Sequence, residues 1–180
     1  LLGRVDLAWK DWALPLAEKV TRPVTDAKND LAIDERFEEE AYEKTKHDIL
    51  RAMTDRGFAY ANVQGSVAVD LVTHRATVLY TLELGPKCTF GTITFDGLGE
   101  IPEDVVRDAL EIREGQDFST SALESAQYAL ADFGVFGTID VRPQLSTGPE
   151  RVTAVPVVFV VQPAALRSVR FGVGAQLGSS

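Results

Sequence analysis

The residues best placed to do chemistry lie in a glycine-rich turn near the middle of the chain. Gly97 and Gly99 follow the apolar stretch TFGTITFD and precede a helix-like segment, which is the context of a phosphate-binding loop. A dinucleotide loop needs a third glycine, but Pro102 stands in that position. The Gly-Lys-Ser/Thr ending of a Walker loop does not occur either. The pattern therefore indicates a tight turn, and we expect no cofactor.

The other reactive side chains lack the partners that catalysis or metal binding requires. Cys88 is the single cysteine, so an intrachain disulfide is impossible, and no histidine near it in sequence could activate a thiolate. His47 lies among charged residues and His74 in an expected hairpin turn, and neither has a second ligand at metal-binding spacing. The acidic run at 38–40 points in several directions around a helix and is typical of a solvated face. We therefore predict no enzyme and no metal site.

Composition and charge narrow the classes of partner. The chain has 180 residues, 45% hydrophobic and 25% charged, which is the balance of a folded globular protein. A net charge of -9 disfavours nucleic acid and strongly anionic membrane surfaces, because both attract a basic face. The opening LLGRVDLAWKDW lacks the pattern of a signal peptide, so we expect a cytoplasmic chain or a processed piece. The longest apolar run, VPVVFVV, is far short of the roughly 20 residues of a spanning helix.

Two segments repeat the same order of signals. A helix-like segment ends at Gly57 and leads into FAYANVQGSVAVDLV, and a second one ends at Gly134 and leads into VFGTIDVRPQLS. The offset of about 77 residues also aligns TVLYTLELGP with AVPVVFVVQP without a gap. The sequence therefore predicts one helix-strand-strand pattern that occurs twice.

Apolar side chains at helical spacing predict the helices of both units. A helix over about 36–56 and another before Gly134 are expected, each ended by glycine in a left-handed conformation. Ser121 and Glu124 have the spacing of a capping box at the start of the latter. IPEDVVRDALEI predicts a further helix with Pro102 in its first position. The expected buried residues are Phe37, Ala41, Thr45, Ile49 and Met53 in the first unit, and Val105, Val106, Ala109, Leu110, Leu123, Ala126, Leu130 and Phe133 in the second.

Alternating residues predict strands with one wet face. Ala61, Val63, Val67, Val69 and Leu71 share an apolar face, as in a half-buried antiparallel strand. VPVVFVV is apolar on both faces and should be a central strand. Its proline, at position 156, contradicts this unless it lies at a bulge or an unpaired position, whereas Pro143 favours an edge strand.

These elements predict an α+β fold made of two tandem β-α-α-β-β units. Each unit should be a three-stranded mixed sheet with two helices on one face. The second unit runs from about 88 to 163. The first is expected to open with RVDLAW, to have its first helix within DWALPLAEKVTRP, and to continue through a linker, VTDAKND.

The ordered combination resembles a known family. A GF or GVF follows a helix, then come a polar-alternating strand, LELGPKCTFGTITFDG and REGQDFSTSALESAQYALADFGVFGTIDV. This is similar to the polypeptide-transport-associated (POTRA) domains of the outer-membrane assembly factor superfamily, especially its BamA and TamA branches. The resemblance implies POTRA-like domains at 1–87 and 88–164. It also implies a periplasmic location at the outer membrane, in front of a carboxy-terminal transmembrane β-barrel, and a role in receiving and inserting outer-membrane proteins.

The last residues are compatible with that implication. RSVRFGVGAQLGSS alternates apolar with polar or small residues, as a transmembrane β-strand does. An ordinary exposed strand would look similar. With the resemblance included, residues 165–180 are expected to begin a barrel, so that the chain is a periplasmic fragment or lacks its remainder.

The resemblance implies that unfolded outer-membrane proteins, called clients below, pair with exposed sheet edges. Such pairing uses backbone groups and therefore tolerates many client sequences. We expect the edges to be 60–70 and 139–144. Other periplasmic assembly subunits are further expected partners. The candidate client-binding residues are Tyr60, Asn62, Val63, Gln64, Val67, Ile139, Val141 and Arg142.

Three alternatives remain open at the level of sequence. The repeats could be a spacer that docks a periplasmic partner without touching clients. They could belong to a two-partner-secretion transporter, or to a soluble binding domain or enzyme without a barrel.

The junction of the two units is expected to be nearly linkerless. Gly85 and Pro86 end one unit, and only Lys87, Cys88 and the following threonine precede the next strand. We therefore predict a joint of limited swing.

Overall fold

The structure is a computed structural model that describes residues 1–10, 16–29 and 31–164. These described residues form six strands and four helices. None of the described helices combines the length and apolarity needed to cross a membrane. The elements are β1 Leu2–Trp9, α1 Leu16–Asn29, α2 Glu39–Thr54, β2 Asn62–Asp70, β3 Arg75–Glu83, β4 Thr89–Asp96, α3 Glu103–Ala109, α4 Thr120–Asp132, β5 Phe136–Pro143 and β6 Ala154–Pro163.

The strands form two separate three-stranded sheets with the same topology. Their orders are β1-β3-β2 and β4-β6-β5. In each sheet the last strand is central, the first strand lies parallel to it and the second antiparallel. The predicted fold class of two tandem mixed-sheet units is confirmed. The expected barrel strand at 165–180 lies outside the described residues.

The first core lies between one face of its sheet and helices α1 and α2. Alternate residues of β3 are buried, and the largest is Tyr80. Its hydroxyl donates to the backbone carbonyl oxygen of Tyr42 at 2.9 Å, and the two rings stack with centroids 5.5 Å apart. Burial raises the pKa of Tyr80 above its ordinary value. Of the predicted stripe on α2, Thr45, Ile49 and Met53 are buried, and Phe37 and Ala41 are partly buried.

The second core repeats this arrangement around β6. Phe159 is buried and stacks on Phe95 of the neighbouring strand, with centroids 5.4 Å apart. Leu123, Ala126 and Leu130 of α4 pack into the same cluster, as the helical spacing predicts. Val105 of α3 is instead 50% exposed, because the helix turns its neighbour Val106 towards the core. That part of the prediction is wrong.

Pro156 lies inside the central strand β6 without breaking it. The pairing of β4 with β6 shifts between Phe90 and Ile93, so the parallel ladder is irregular beside this proline. A side chain on Gly91 would come within 2.7 Å of the carbonyl oxygen of Ala154, so only glycine fits there. On its other side, the Pro156 carbonyl accepts a hydrogen bond from the backbone N-H of Gln144. The prediction that this strand is central is confirmed, and Pro156 lies at an irregularity of the ladder where it has no partner on β4.

Helix α1 extends further than the sequence predicts. It runs through VTDAKN, so the expected linker over residues 24–30 is wrong. Pro23 lies inside the helix, where it removes one backbone hydrogen bond and normally costs about 3 kcal/mol. Val20 and Val24, four residues apart, are both fully buried in the first core. The burial of this apolar pair offsets much of the cost, because each buried valine contributes roughly 1.5–3 kcal/mol.

The start of α4 also differs from the sequence prediction. Its N-cap is Ser119, whose hydroxyl accepts from the backbone N-H of Ala122. The predicted capping box of Ser121 and Glu124 is therefore wrong. Pro102 likewise stands at the N-cap of α3, one position before the expected one. By contrast, Gly57 and Gly134 have φ of +93° and +67°, as predicted for residues that end a helix.

Candidate functional site

The expected client-binding residues lie on outer strands, with one exception. Asn62, Val63, Gln64 and Val67 are on β2, and Ile139, Val141 and Arg142 are on β5. Both strands are at an edge of their sheet. Tyr60 precedes β2 and belongs to the contact between the two units. The structure also leaves β1 and β4 at edges, which the sequence prediction did not consider.

The backbone of β2 presents open hydrogen-bonding groups to the outside. The N-H of Ala76 and the carbonyl of Leu82, both on β3, bond to the segment containing β1. The backbone N-H and C=O groups of the even-numbered residues of β3 therefore point away from β2. The residues opposite them on β2 consequently direct their own N-H and C=O groups away from β3, to the outside of the sheet. No hydrogen bond found in the described part of the chain reaches the outward groups of these partners. The residues with outward N-H and C=O groups are Val63, Gly65, Val67 and Val69.

Apolar side chains accompany the open groups of β2. Val67 and Val69 are 39% and 61% exposed, although the sequence pattern predicts a buried row. Within this row only Val63 is buried, and it belongs to the first core. Tyr42 of α2 lies over Gly65, since a side chain there would collide with the Tyr42 hydroxyl. The helix begins at about this level and leaves the outer half of β2 uncovered.

The edge of β5 is partly occupied by side chains. The Gln127 amide of α4 donates to the Ile139 carbonyl at 2.9 Å. Asp140 and Arg142 pair with each other on the strand, and Pro143 has no N-H to offer. A groove of about 320 Å³ lies between α4 and the beginning of this strand.

The outer side of β4 is covered. Phe90 exchanges backbone hydrogen bonds with Gly115 and Gln116, each of 2.8 Å. Ile93 donates its N-H to the Glu114 carboxylate, and its carbonyl accepts from Arg107 at 2.8 Å. A second chain could not pair with this stretch without displacing these groups.

The outer side of β1 is protected by different means. Leu2 donates its N-H to the Glu35 carbonyl, and its own carbonyl accepts from Asp34. The pairing with β3 is irregular around position 3, where the strand has a glycine. An ion pair between Arg4 and Asp6 follows on the same strand. Covering segments, bulges and charges are all features that hinder edge-to-edge pairing.

The joint brings the two units into direct contact. The N-H of Cys88 bonds to the carbonyl of Gly57, and the Cys88 thiol contacts the Pro86 carbonyl at 3.3 Å. Cys88 is fully buried in the second core, and burial raises the pKa of its thiol. Lys87 bridges the units by donating to the Arg56 carbonyl and to the Asp117 carboxylate. Gly85 has a φ of +70°, which suits the sharp turn at this place.

The carboxylate of Asp55 connects the end of α2 to the start of α4. It accepts from the hydroxyl and backbone N-H of Ser121, at 2.6 and 2.8 Å, and from the Ser119 hydroxyl at 3.0 Å. Burial opposes ionisation, but these hydrogen bonds and the charge of Arg51 hold the pKa of Asp55 below its usual value. An anion at a helix amino-terminus is also stabilised by the helix dipole.

Further polar contacts surround this carboxylate. Arg51 of α2 donates to the Ser121 hydroxyl at 3.0 Å and pairs with Glu124 of α4. Thr120 and Thr54 hydroxyls are 2.9 Å apart. Ser121 and Glu124 therefore act between the units rather than in a capping box. The sequence signal was a Ser-Thr-Ser run at a helix start and an aspartate at another helix end, but nothing local shows that they meet.

Tyr60 contributes a second cluster at the other side of the joint. Its hydroxyl accepts from the Ser146 N-H and donates to the Val152 carbonyl, both at 3.1 Å. The Arg151 guanidinium lies 5.3 Å from the ring centroid and pairs with Glu83. This side chain is therefore engaged by the second unit.

The glycine turn that follows β4 in the second unit packs against the sheet. Gly97 and Gly99 both have positive φ. A side chain on Gly97 would collide with the Val161 carbonyl, so the turn folds back onto β6. No group of three or more potential metal-ligating side chains occurs among the described residues.

Comparison of the sequence with protein families identifies one match. The sequence model of the POTRA family, described as surface antigen variable number repeat, matches residues 88–164. No protein of curated function matches the chain.

Solved structures resemble both units together. POTRA domains 3–5 of BamA from Haemophilus influenzae superpose with a TM-score of 0.78 at 17% identity, over 89% of this chain and 60% of that one. BamA from Haemophilus ducreyi lacking POTRA domains 1–3 gives 0.72 at 16% identity, over 91% and 29%. POTRA domains 1–2 of Omp85 from Anabaena give 0.51 at 13%, over 93% and 97%. At these identities the likeness establishes the fold. The chain spans three fifths or less of the two BamA structures.

Proposed function

We propose that the chain is a periplasmic part of an outer-membrane protein assembly or translocation factor, because the POTRA sequence model matches residues 88–164 and the unit before them has the same topology. The likeness to BamA structures supports the outer-membrane location. The proposal assigns residues 1–87 and 88–164 to two domains. It also assigns 165–180 to the first strand of a barrel, on the alternation of apolar with small or polar residues.

The proposed activity is binding of clients by strand addition, followed by their transfer to the barrel. The observation that carries it is the second strand of each unit, β2 or β5, at an edge of its sheet. A client segment can extend either sheet through backbone hydrogen bonds, which do not depend on its side chains. Each such bond contributes about 0.5–1.5 kcal/mol net, so a short ladder would hold a client weakly and reversibly. The proposed role is binding, without catalytic residues.

Site-specific photo-crosslinking tests this function. A photoreactive amino acid is placed at Gln64 on β2, at Val141 on β5, or at Asp108 on the exposed side of α3 as a matched control. A urea-denatured outer-membrane barrel protein is diluted into each variant. We expect adducts from an edge strand and few from the helix. Equal labelling at all three positions would contradict strand addition.

A spacer function is the second candidate, favoured by the many contacts of the joint. Asp55 and Tyr60 each bind the second unit through more than one hydrogen bond, and Lys87 forms an ion pair with Asp117 of that unit. A spacer requires such a joint but no client contact. The absence of adducts from both edge strands in the crosslinking experiment would favour this candidate.

A further inference from the structure

The end of the first unit that lies opposite to the joint carries a group of exposed apolar side chains. Leu71 and Val72, in the turn between β2 and β3, are 80% and 89% exposed, the highest values for large apolar residues in the described part of the chain. Leu1 and Ile33 are also more than half exposed. Single apolar side chains on a surface need no explanation, whereas a group of them at one place indicates a contact with another domain or molecule.

These side chains belong to three segments that polar contacts hold together. The backbone nitrogen of Leu1 donates to the His74 carbonyl at 3.0 Å, and Arg75 pairs with Asp34 at 2.8 Å. The turn is itself fixed, because the Asp70 carboxylate accepts two of its backbone N-H groups. We call this end of the unit the entry face, and it consists of Leu1, residues 33–40 and residues 71–74.

The second unit contacts the first unit through the three corresponding segments. These are the residues that lead into β4, the segment before α4 and the loop between β5 and β6. Cys88 at the start of β4 bonds to the Gly57 carbonyl. The segment before α4 binds Asp55 and Lys87, and the loop binds Tyr60. The entry face therefore occupies the position at which the second unit makes its contact with a neighbouring unit.

The backbone gives this correspondence residue by residue before α2 and α4. Leu2 of β1 exchanges hydrogen bonds with residues 34 and 35, and Phe90 of β4 exchanges equivalent bonds with residues 115 and 116. Glu38 and Ser119 are the N-caps of the helices that follow. Both observations give the same alignment. In it, Arg36 corresponds to Asp117, Glu38 to Ser119 and Glu40 to Ser121.

The charges of the entry face differ from those of its counterpart in the second unit. At the joint, Asp117 pairs with Lys87, whereas the entry face has Arg36 in the place of that aspartate. The serine hydroxyls that donate to Asp55 at the joint are replaced by exposed glutamates. An end that docks here should therefore be acidic where the first unit has Lys87 and basic where it has Asp55. Because like charges repel, the joint end of another first unit does not fit.

A cavity beside the entry face has room for an apolar side chain. At the joint, Ala59 of the first unit is buried in the second core, and Tyr60 packs against that core. Near the entry face, a cavity of about 180 Å³ is lined by Leu2, Leu31 and Phe37 together with neighbouring residues. A side chain from a docked end would fill this cavity as Ala59 fills its place in the second core.

We propose that the entry face docks a further β-α-α-β-β unit that precedes Leu1 in the complete protein. The docked end carries a basic residue at the position of Asp55, an acidic residue at that of Lys87 and an apolar side chain for the cavity. A terminal repeat normally has a polar outer face, so an apolar entry face supports the position of an internal unit. The inference concerns a contact between units and does not depend on client binding.

Photo-crosslinking in the complete protein tests the docking. A photoreactive amino acid replaces Val72 on the entry face or, as a matched control, Tyr128 on α4, which is also mostly exposed. A mixture of ¹⁵N-labelled and unlabelled protein separates adducts within one molecule from adducts between copies, and mass spectrometry of the digested protein locates them. We expect adducts from Val72 to the segment before Leu1 within the same molecule. Tyr128 should give few adducts with that segment.

The charge pattern is tested with the same adducts. Glu40→Lys places a positive charge against the expected basic residue and should lower the yield from Val72 about fivefold. Asp108→Lys makes the same change of charge on the exposed side of α3 and should leave the yield within about twofold. Circular dichroism and thermal unfolding check each variant. If Glu40→Lys does not fold, Glu40→Gln should lower the yield about twofold.

Other results would overturn the proposal. Adducts from Val72 that join two copies assign the entry face to self-association, and adducts with lipid alone assign it to the membrane surface. The docked unit is removed altogether if no adducts form, if their yield does not respond to Glu40→Lys, or if no further unit precedes Leu1 in the complete protein. None of these results changes the crosslinking of clients at Gln64, so the proposed function is judged separately.

Discussion

Strands β2 and β5 have the same position in their units, but their edges are in different states. On β2 the residues whose backbone N-H and C=O groups point outward are uncharged, and the side chain of one of them, Val69, is 61% exposed. β5 has Asp140 and Arg142 on the strand and a hydrogen bond from Gln127 to its Ile139 carbonyl. The difference teaches that the topology decides which strand is at an edge, whereas side chains decide whether another strand can pair with it.

The largest expected effect tests whether the two units can be compared as separate bodies. Phe159→Ala removes a fully buried ring from the second core and should lower the free energy of unfolding by about 3–5 kcal/mol. We expect the signals of the first unit in NMR spectra to persist at denaturant concentrations that unfold the second. If the NMR signals of both units disappeared at the same denaturant midpoint, the joint would couple the unfolding of the two units completely.

The next effect concerns the polar contact between the units. Asp55→Ala leaves Ser119 and Ser121 without their acceptor and should destabilise the joint by about 1–3 kcal/mol. Asp140→Ala is the control, since its ion pair with Arg142 is exposed and contributes about 0–1 kcal/mol. Denaturant unfolding gives both values, and residual dipolar couplings show whether the units still share one orientation. A common orientation in Asp55→Ala would assign the stiffness of the joint to the contacts of Lys87 and Tyr60.

The same carboxylate predicts a pH dependence. The pKa of Asp55 in the folded chain lies below 3.8, its value without these contacts. Its contribution to stability is therefore complete at pH values well above 3.8 and is lost as the pH falls through the folded-state pKa. Unfolding free energies measured from pH 7 to pH 2 should fall less steeply below pH 4 for Asp55→Asn. Parallel curves for the two proteins would contradict this prediction.

A smaller effect is expected from a substitution that opens the edge of β5 and so makes it more like that of β2. Gln127→Ala frees the carbonyl of Ile139 on β5 and should cost about 0.5–1.5 kcal/mol of stability. Adducts from Val141 in the crosslinking experiment should increase several-fold. Gln64→Ala, which removes an exposed amide from β2, is the matched control. An unchanged yield at Val141 would mean that Gln127 does not control access to this edge.

The smallest effect on stability is expected at the exposed end of β2. Val69→Lys should change the free energy of unfolding by no more than about 0.5 kcal/mol, because the side chain is mostly in solvent. The same change places a charge on the edge and should reduce self-association at high protein concentration, measured by sedimentation velocity. A large loss of stability would show that Val69 packs against the core.

Much of the fold follows from the sequence because its signals are local. The spacing of Ile49 and Met53, or of Leu123 and Leu130, indicates which side of a helix is buried. Gly57 and Gly134 indicate where the helices end, because their positive φ suits glycine. The repeat then indicates that one topology occurs twice.

Local signals were misleading where a distant contact outweighed them. Pro23 suggested the end of a helix, but the burial of Val20 and Val24 in the first core supports a longer one. Val69 continued an apolar row, but it is 61% exposed, because none of the described helices covers its part of the sheet. In both cases the deciding partner is remote in sequence.

By itself, the sequence determined the repeated β-α-α-β-β order, the central strand of the second unit and the resemblance to POTRA domains. These depend on periodicity and on turn residues, which act over a few positions. Only the tertiary structure decided which edge is open and how the units meet. Glu114 reaches Ile93 across 21 positions and Asp55 reaches Ser121 across 66, and such meetings depend on how whole elements pack. The physical reason is that hydrogen bonds between side chains and a distant backbone are formed by the fold and leave no periodic pattern in the chain.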